Sequence, residues 1–159
     1  MNIYLIRHGK AENITIYKRD DERELLPEGK EEMRKAALYW KKVIGQFDYI
    51  ISSPFSRALQ TAEIIKEVFD YKEDLIFESF LAHGGSVSKL IETANIYHSK
   101  NIAFVGHEPT LSKYVSQLTS NSGVSIDFKK GMIAKISFGS RAREGAGCLD
   151  FLIPPIFFK

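Results

Sequence analysis

"DYIISSPFSRALQTAEIIKEVF", residues 48–69, carries two periodicities in one stretch. The first five residues, Asp48 to Ser52, form a short run rich in β-branched and aromatic side chains, as a strand requires. Beyond Ser53 and Pro54 the spacing changes. Leu59, Ala62, Ile65 and Phe69 recur every three or four residues and share one face of a helix. The unit reads strand, tight turn, helix, with Ser56 expected as the N-cap and Arg57 in the first helical turn.

The same alternation extends in both directions. Short apolar runs stand at "IYLI" (3–6), "LIF" (75–77), "IAFV" (102–105), "MIAKISF" (132–138) and "CLDFLI" (148–153). Amphipathic segments lie between them. Met33, Ala36, Ala37, Trp40, Val43 and Ile44 share a helical face that Gly45 ends, and His98 closes a helix begun by Val87, Leu90, Ile91 and Ala94. Leu111, Tyr114, Val115 and Leu118 mark one more. This order predicts an α/β fold, a three-layer sandwich with a mainly parallel sheet flanked by helices. Only "GSRAREGAG" separates the last two strands, so they are expected to form a C-terminal antiparallel edge hairpin. Residues 1–159 are expected to be a single domain, with the apolar tail "PPIFFK" packed on its body.

Composition narrows the function. The 159 residues carry 22 Lys+Arg against 20 Asp+Glu, a formal charge of +2, too balanced to imply a nucleic-acid partner. The lone Cys148 excludes an internal disulfide framework and a cysteine-based metal cluster. No run reaches membrane-spanning length and no secretory pattern precedes the first strand, so a cytoplasmic protein with no membrane partner is expected.

In open α/β sheets, ligands bind beyond the carboxyl ends of the strands. Three of those ends carry cationic or potentially cationic residues here: Arg7 and His8 after strand one, Arg57 after "DYIIS", and His107 after "IAFV". Helix N-termini favour anions, and arginine offers a planar fork that suits phosphate oxygens. Two arginines and two histidines at equivalent junctions describe a pocket for a phosphate-like group. Neither a P-loop nor a carboxylate cluster built for magnesium is present, so the expected nucleophile is a side chain and no metal or other cofactor is expected. A neutral imidazole serves, and the neighbouring cations would keep His8 neutral.

"LIRHGKAE" resembles the Arg-His-Gly signature of the histidine phosphatase, or phosphoglycerate-mutase-like, superfamily. "SSPFSRALQTAEII" resembles its Ser-Pro-x-x-Arg-Ala-x-Gln-Thr motif, and "FVGHEPTL" the Gly-His pair after a strand. "RHGKAE" and the small size resemble the compact phosphohistidine phosphatase branch. The resemblance implies that His8 is the nucleophile, that Arg7 and Arg57 bind the phosphoryl group, and that His107 completes the pocket. "DDERELLPEG" resembles that branch's Asp-x-x-Arg-x-Leu-Thr-x-x-Gly segment, with Leu26 in the threonine's place, which makes Arg23 a further phosphate-side contact. Relatives supply an acid after the third strand, where this chain reads "FESFLAHGGS" and Phe80 takes the glutamate's place. Glu78 would face the pocket if the strand continues, and His83 in the turn could reach inward. The acid is Glu78, His83 or neither.

The expected activity is a metal-independent phosphohydrolase that forms a phosphohistidine intermediate on His8. Its expected partner is phosphohistidine in a protein, such as a phosphotransfer domain, because an imidazole leaving group needs less acid assistance than an alkoxide. A phosphatase of small phosphate esters and a non-catalytic phosphate-binding module are the alternatives. A mutase would need a covering loop, for which the chain has no segment long enough.

Overall fold

The computed structural model describes residues 1–155. Six strands, β1 (Asn2–Arg7), β2 (Tyr49–Ser52), β3 (Ile76–Phe77), β4 (Asn101–Gly106), β5 (Ile133–Ser137) and β6 (Cys148–Ile153), form one sheet in the order β3-β2-β4-β1-β5-β6. Strands β3, β2, β4 and β1 run parallel, while β5 is antiparallel to both β1 and β6. The predicted α/β architecture and the C-terminal edge hairpin are therefore both present. Four helices, α1 (Pro27–Ile44), α2 (Ser56–Phe69), α3 (Val87–Tyr97) and α4 (Thr110–Thr119), cover its two faces.

Alternation along each strand splits the core in two. Ile3 and Leu5 of β1, Ile102 and Phe104 of β4, and Ile51 of β2 face α3 and α4, where Leu90, Leu111, Tyr114 and Leu118 meet them. Tyr4 and Ile6, Ala103 and Val105, and Ile50 face α1 and α2, against Met33, Trp40, Ala62 and Ile65. Every second residue of a central strand thus belongs to a different core. Such a strand is buried on both faces, which explains the continuous rather than alternating apolar runs in the sequence.

Three expectations need correction. Val43 is 57% exposed, so the buried stripe of α1 ends at Trp40. Helix α2 starts at Ser56 itself, with Phe55 in the N-cap position; the Ser53 hydroxyl instead accepts from the Phe55 N–H at 3.3 Å. Strand β3 has only two residues before the chain turns into a 3-10 turn at Ser79–Leu81. In the tail, Pro155 is buried, while residues 156–159 lie outside the described residues.

The topology selects the site. From β1 the chain leaves through α1 on one face of the sheet, and from the adjacent β4 it leaves through α4 on the other. Between the carboxyl ends of two such strands the connections diverge and leave a crevice. His8 follows β1 and His107 follows β4.

Candidate active site

The backbone fixes His8 before its ring is considered. Its N–H donates to the Gly106 carbonyl at 3.2 Å, extending the β1–β4 ladder by one residue. Gly9 then donates to Thr61 Oγ1 at 3.2 Å, and that hydroxyl donates to the Arg57 carbonyl at 2.8 Å. The first motif is thereby tied to the second. A side chain at Gly9 would not fit, since a Cβ there would stand 2.7 Å from Met33 Cγ.

The His8 ring has a defined tautomer. Nδ1 lies 2.7 Å from the Gly9 carbonyl, which can only accept, so Nδ1 carries the proton and Nε2 keeps its lone pair. Arg57 Nε donates to that Nε2 at 3.3 Å. Burial lowers the His8 pKa to about 3, helped by the charges of Arg57, Arg7 and Lys130 and opposed by the Gly9 hydrogen bond. The ring is a neutral, buried nucleophile with its reactive nitrogen beside a guanidinium.

His107 lies 5.1 Å from His8 between ring centroids, and its Nε2 shares a 2.8 Å hydrogen bond with Ser53 Oγ. Burial first, then His8, Arg57 and His83, push its pKa down to about 2. Phe55 packs against this cluster, 5.1 Å from the His107 ring and 5.3 Å beneath the Arg57 guanidinium carbon, an arrangement that suits a cation over an aromatic face.

Asp20 holds the cations together. Its backbone carbonyl accepts from Arg57 Nη1 at 2.5 Å and its carboxylate from Arg57 Nη2 at 3.1 Å. The same carboxylate accepts from Arg23 Nε at 2.9 Å and pairs with His83 Nε2 at 3.2 Å. Partial burial pushes the Asp20 pKa up, but hydrogen bonds from His83, Arg23 and Arg57 outweigh it and hold the carboxyl well below the usual range. Arg7 donates from Nη1 to the Phe128 carbonyl at 2.7 Å. Its buried Nε, and the buried Nδ1 of His107, have no hydrogen-bond partner among the described residues.

The structure brings Arg7, His8, Arg57 and His107 into one pocket, with Arg23 reaching it through Asp20. His83 stands at the rim, 53% exposed and 5.5 Å from the His107 ring. Among the described residues no hydrogen bond or ion pair links Glu78 to them. Its backbone is still extended and its N–H donates to the Ser52 carbonyl at 3.0 Å, but the 3-10 turn begins at the next residue; among the described residues its carboxylate has no hydrogen bond or ion pair. Sequence reading missed Asp20, Ser53, Phe55 and Lys130. Asp20 left a signal as the first position of the Asp-x-x-Arg segment, and Ser53 as the serine of the Ser-Pro-x-x-Arg motif. Among the described residues no group of three or more His, Cys, Asp or Glu could hold a metal ion, and no helix is long and apolar enough to cross a membrane.

The buried imidazoles make stability depend on pH. In the unfolded chain both titrate near 6.5, whereas in the folded protein they stay neutral down to about 3 for His8 and about 2 for His107. Stability is thus complete above about pH 6.5 and falls as the pH is lowered, because the unfolded chain takes up protons that the folded one refuses. Between pH 6 and 4 urea unfolding should lose up to about 1.4 kcal/mol per pH unit for each of the two protons. A flat profile over that window would show that the rings are accessible to protons in the folded state.

The profile of the histidine phosphatase superfamily (branch 1) matches residues 3–77. The phosphohistidine phosphatase SixA homolog of Haemophilus influenzae is 27% identical over 154 residues, covering 91% of this chain and 92% of that protein. The structure of the protein histidine phosphatase SixA complexed with tungstate superposes with a TM-score of 0.88 over 100% of both chains, at 22% identity. A phosphoserine phosphatase mutant from Entamoeba histolytica, crystallised with phosphoserine, gives a TM-score of 0.71 at 19% identity over 95% of each chain.

Proposed function

We propose that this chain, a member of the histidine phosphatase superfamily, is a phosphatase that removes the phosphoryl group from phosphohistidine in a partner protein through a phosphorylated His8. His8 Nε2 attacks phosphorus in line; the Nε2–P bond forms as the P–N bond to the partner's imidazole breaks. The departing imidazole keeps the electron pair of that bond and takes a proton from solvent. Water then attacks the same phosphorus, the Nε2–P bond breaks, and inorganic phosphate leaves while Nε2 regains its lone pair. The Gly9 carbonyl on Nδ1–H stabilises the positive charge that the His8 ring acquires on phosphorylation. Arg7 and Arg57, with His107, are proposed to hold the oxygens as charge moves onto them. The unpartnered Arg7 Nε supports this role, since a buried donor without a partner costs free energy that an anion would return.

One observation carries the choice of substrate. The carboxylate hydrogen-bonded into the cluster is Asp20, and three cationic or potentially cationic partners keep it ionised, so it has no proton to give. A pocket without a strong acid suits an imidazole leaving group better than an alkoxide. The short connection from β3 to α3, a 3-10 turn and six further residues, also supports a site open to a protein surface.

Phosphate release from a phosphohistidine-bearing phosphotransfer domain, measured in EDTA beside a simple aryl phosphate, tests the proposal. Release from phosphohistidine should be at least tenfold faster in kcat/KM, on the order of 1.4 kcal/mol in transition-state stabilisation. A phosphatase of small esters is the second reading, favoured by His83 at the rim on Asp20. Faster turnover of the aryl phosphate, lost in His83→Ala, would establish that reading instead.

A further inference from the structure

Lys130 lies 122 positions after His8 in the chain, yet its loop is fastened to the nucleophile's strand. The Gly131 N–H donates to the carbonyls of both Arg7, at 3.2 Å, and His8, at 3.0 Å. Arg7 N–H returns a bond to the Met132 carbonyl at 3.0 Å, and the Arg7 guanidinium reaches the Phe128 carbonyl at 2.7 Å. Gly131 makes the turn with φ of 76°, and a Cβ there would stand 2.9 Å from Pro155 Cγ. The loop is anchored at four points around the lysine.

Next to it opens a cavity of about 370 Å³ lined by Arg7, Lys10, Lys129, Lys130, Pro154 and Pro155, with Glu32 at its edge. Two of the lysines are already paired: Lys10 with Glu32 at 2.9 Å, and Lys129 with Asp127 at 3.4 Å. Lys130 has no hydrogen bond or ion pair among the described residues. It is surrounded instead by like charge. Partial burial first, then Arg7, Arg23, Arg57 and Lys10, hold its ammonium below the usual lysine range. Such an arrangement destabilises the free protein, and an anion in the cavity removes the penalty.

We infer that this cavity is a subsite for a carboxylate of the substrate, carried close to the phosphoryl group, with Lys130 as its principal contact. The inference rests on the proposal that His8 accepts the phosphoryl group, and not on the phosphoryl group coming from phosphohistidine. In a partner protein the carboxylate would be an acidic side chain beside the phosphorylated histidine; in a small ester it would be part of the same molecule. The exposed lining of the cavity is mostly apolar, the two proline rings included, so polar recognition there falls to the few nitrogen atoms of the lysines and Arg7.

Two substrate pairs test this at low ionic strength: phosphohistidine peptides flanked by glutamate or by glutamine, and carboxyphenyl phosphate against phenyl phosphate. The quantity read is the ratio of kcat/KM within each pair. The carboxylate-bearing member should be preferred about tenfold by the wild-type chain in at least one pair, and the preference should fade in 0.5 M salt. Lys130→Gln should bring the ratio close to one, Lys130→Arg should keep it, and Lys130→Glu should invert it. Should Lys130→Gln fail to fold, the salt series and Lys130→Arg carry the test. A preference confined to the aryl phosphates, with no peptide turned over, would uphold the subsite and overturn the phosphohistidine reading. Equal rates within both pairs, or a preference that survives Lys130→Gln, would overturn the subsite.

Discussion

Replacing His8 with alanine should lower phosphate release by at least about four orders of magnitude, whichever substrate is supplied. The replacement removes His8 Nε2, the proposed nucleophile. With Nδ1–H committed to the Gly9 carbonyl, Nε2 carries the ring's lone pair, which accepts from Arg57 Nε in the free protein, and burial keeps the ring neutral far below physiological pH. His107 is not expected to take its place. Its Nε2 is engaged by Ser53 Oγ, and its ring centroid lies 5.1 Å from that of His8. The substitution should leave the fold intact, since the His8 backbone bonds to Gly106 and from Gly131 do not involve the side chain. The decisive measurement pairs steady-state release with trapping of the phosphorylated protein from a labelled substrate. The wild-type chain should carry label on a histidine and the variant none. Label or turnover persisting in His8→Ala would mean that water or another side chain attacks phosphorus directly.

The pocket keeps three arginines close to one another because each has a partner other than the substrate. Arg57 and Arg23 share Asp20, and Arg7 has the Phe128 carbonyl. Asp20 therefore does two things at once: it compensates like charge, and it sets the plane of the Arg57 guanidinium over Phe55. It lies in a segment that reaches the crevice from the side, between β1 and α1, rather than from a strand end.

That difference explains which parts of the site could be read from the chain. Arg7, His8, Arg57 and His107 each follow a strand whose apolar run is easy to see, and parallel strands bring their carboxyl ends to one edge. Asp20, Phe55 and Ser53 reach the pocket through the local path of loops and turns, which residue spacing does not encode. Lys130 is the extreme case, because its place depends on β5 pairing antiparallel to β1, with Ile6 opposite Ile133. Glu78 is the opposite case. Its expected orientation extends the strand period to Phe80, whereas the backbone stays extended through Glu78, whose N–H donates to the Ser52 carbonyl, and turns 3-10 from Ser79. Val43 shares the helical period of Trp40 but sits at the margin of the buried stripe, where it is 57% exposed.

Arg57→Ala should lower kcat by about 10²- to 10³-fold, the loss expected when one preorganised donor to a developing charge is removed. The more informative variant is Arg57→Lys, which should recover no more than about tenfold of that loss. Three nitrogens of Arg57 point to three separate acceptors: Nε to His8 Nε2, Nη1 to the Asp20 carbonyl, and Nη2 to the Asp20 carboxylate. A lysine ammonium supplies the charge but cannot reach all three from a single atom. The Arg57 side chain is 2% exposed and its guanidinium carbon lies 5.3 Å from the Phe55 ring centroid, so its orientation is set by packing as well as by hydrogen bonds. Removing it leaves the Asp20 carboxylate, 39% exposed, still paired with Arg23 and hydrated by solvent, so the fold should survive with a modest loss of stability. Thermal unfolding of both variants separates that loss from the loss of rate. If Arg57→Lys turns over near the wild-type rate, charge alone suffices at this position and the fork geometry has no part in catalysis. If it falls with Arg57→Ala, the directed donor beside Nε2 is what the reaction uses.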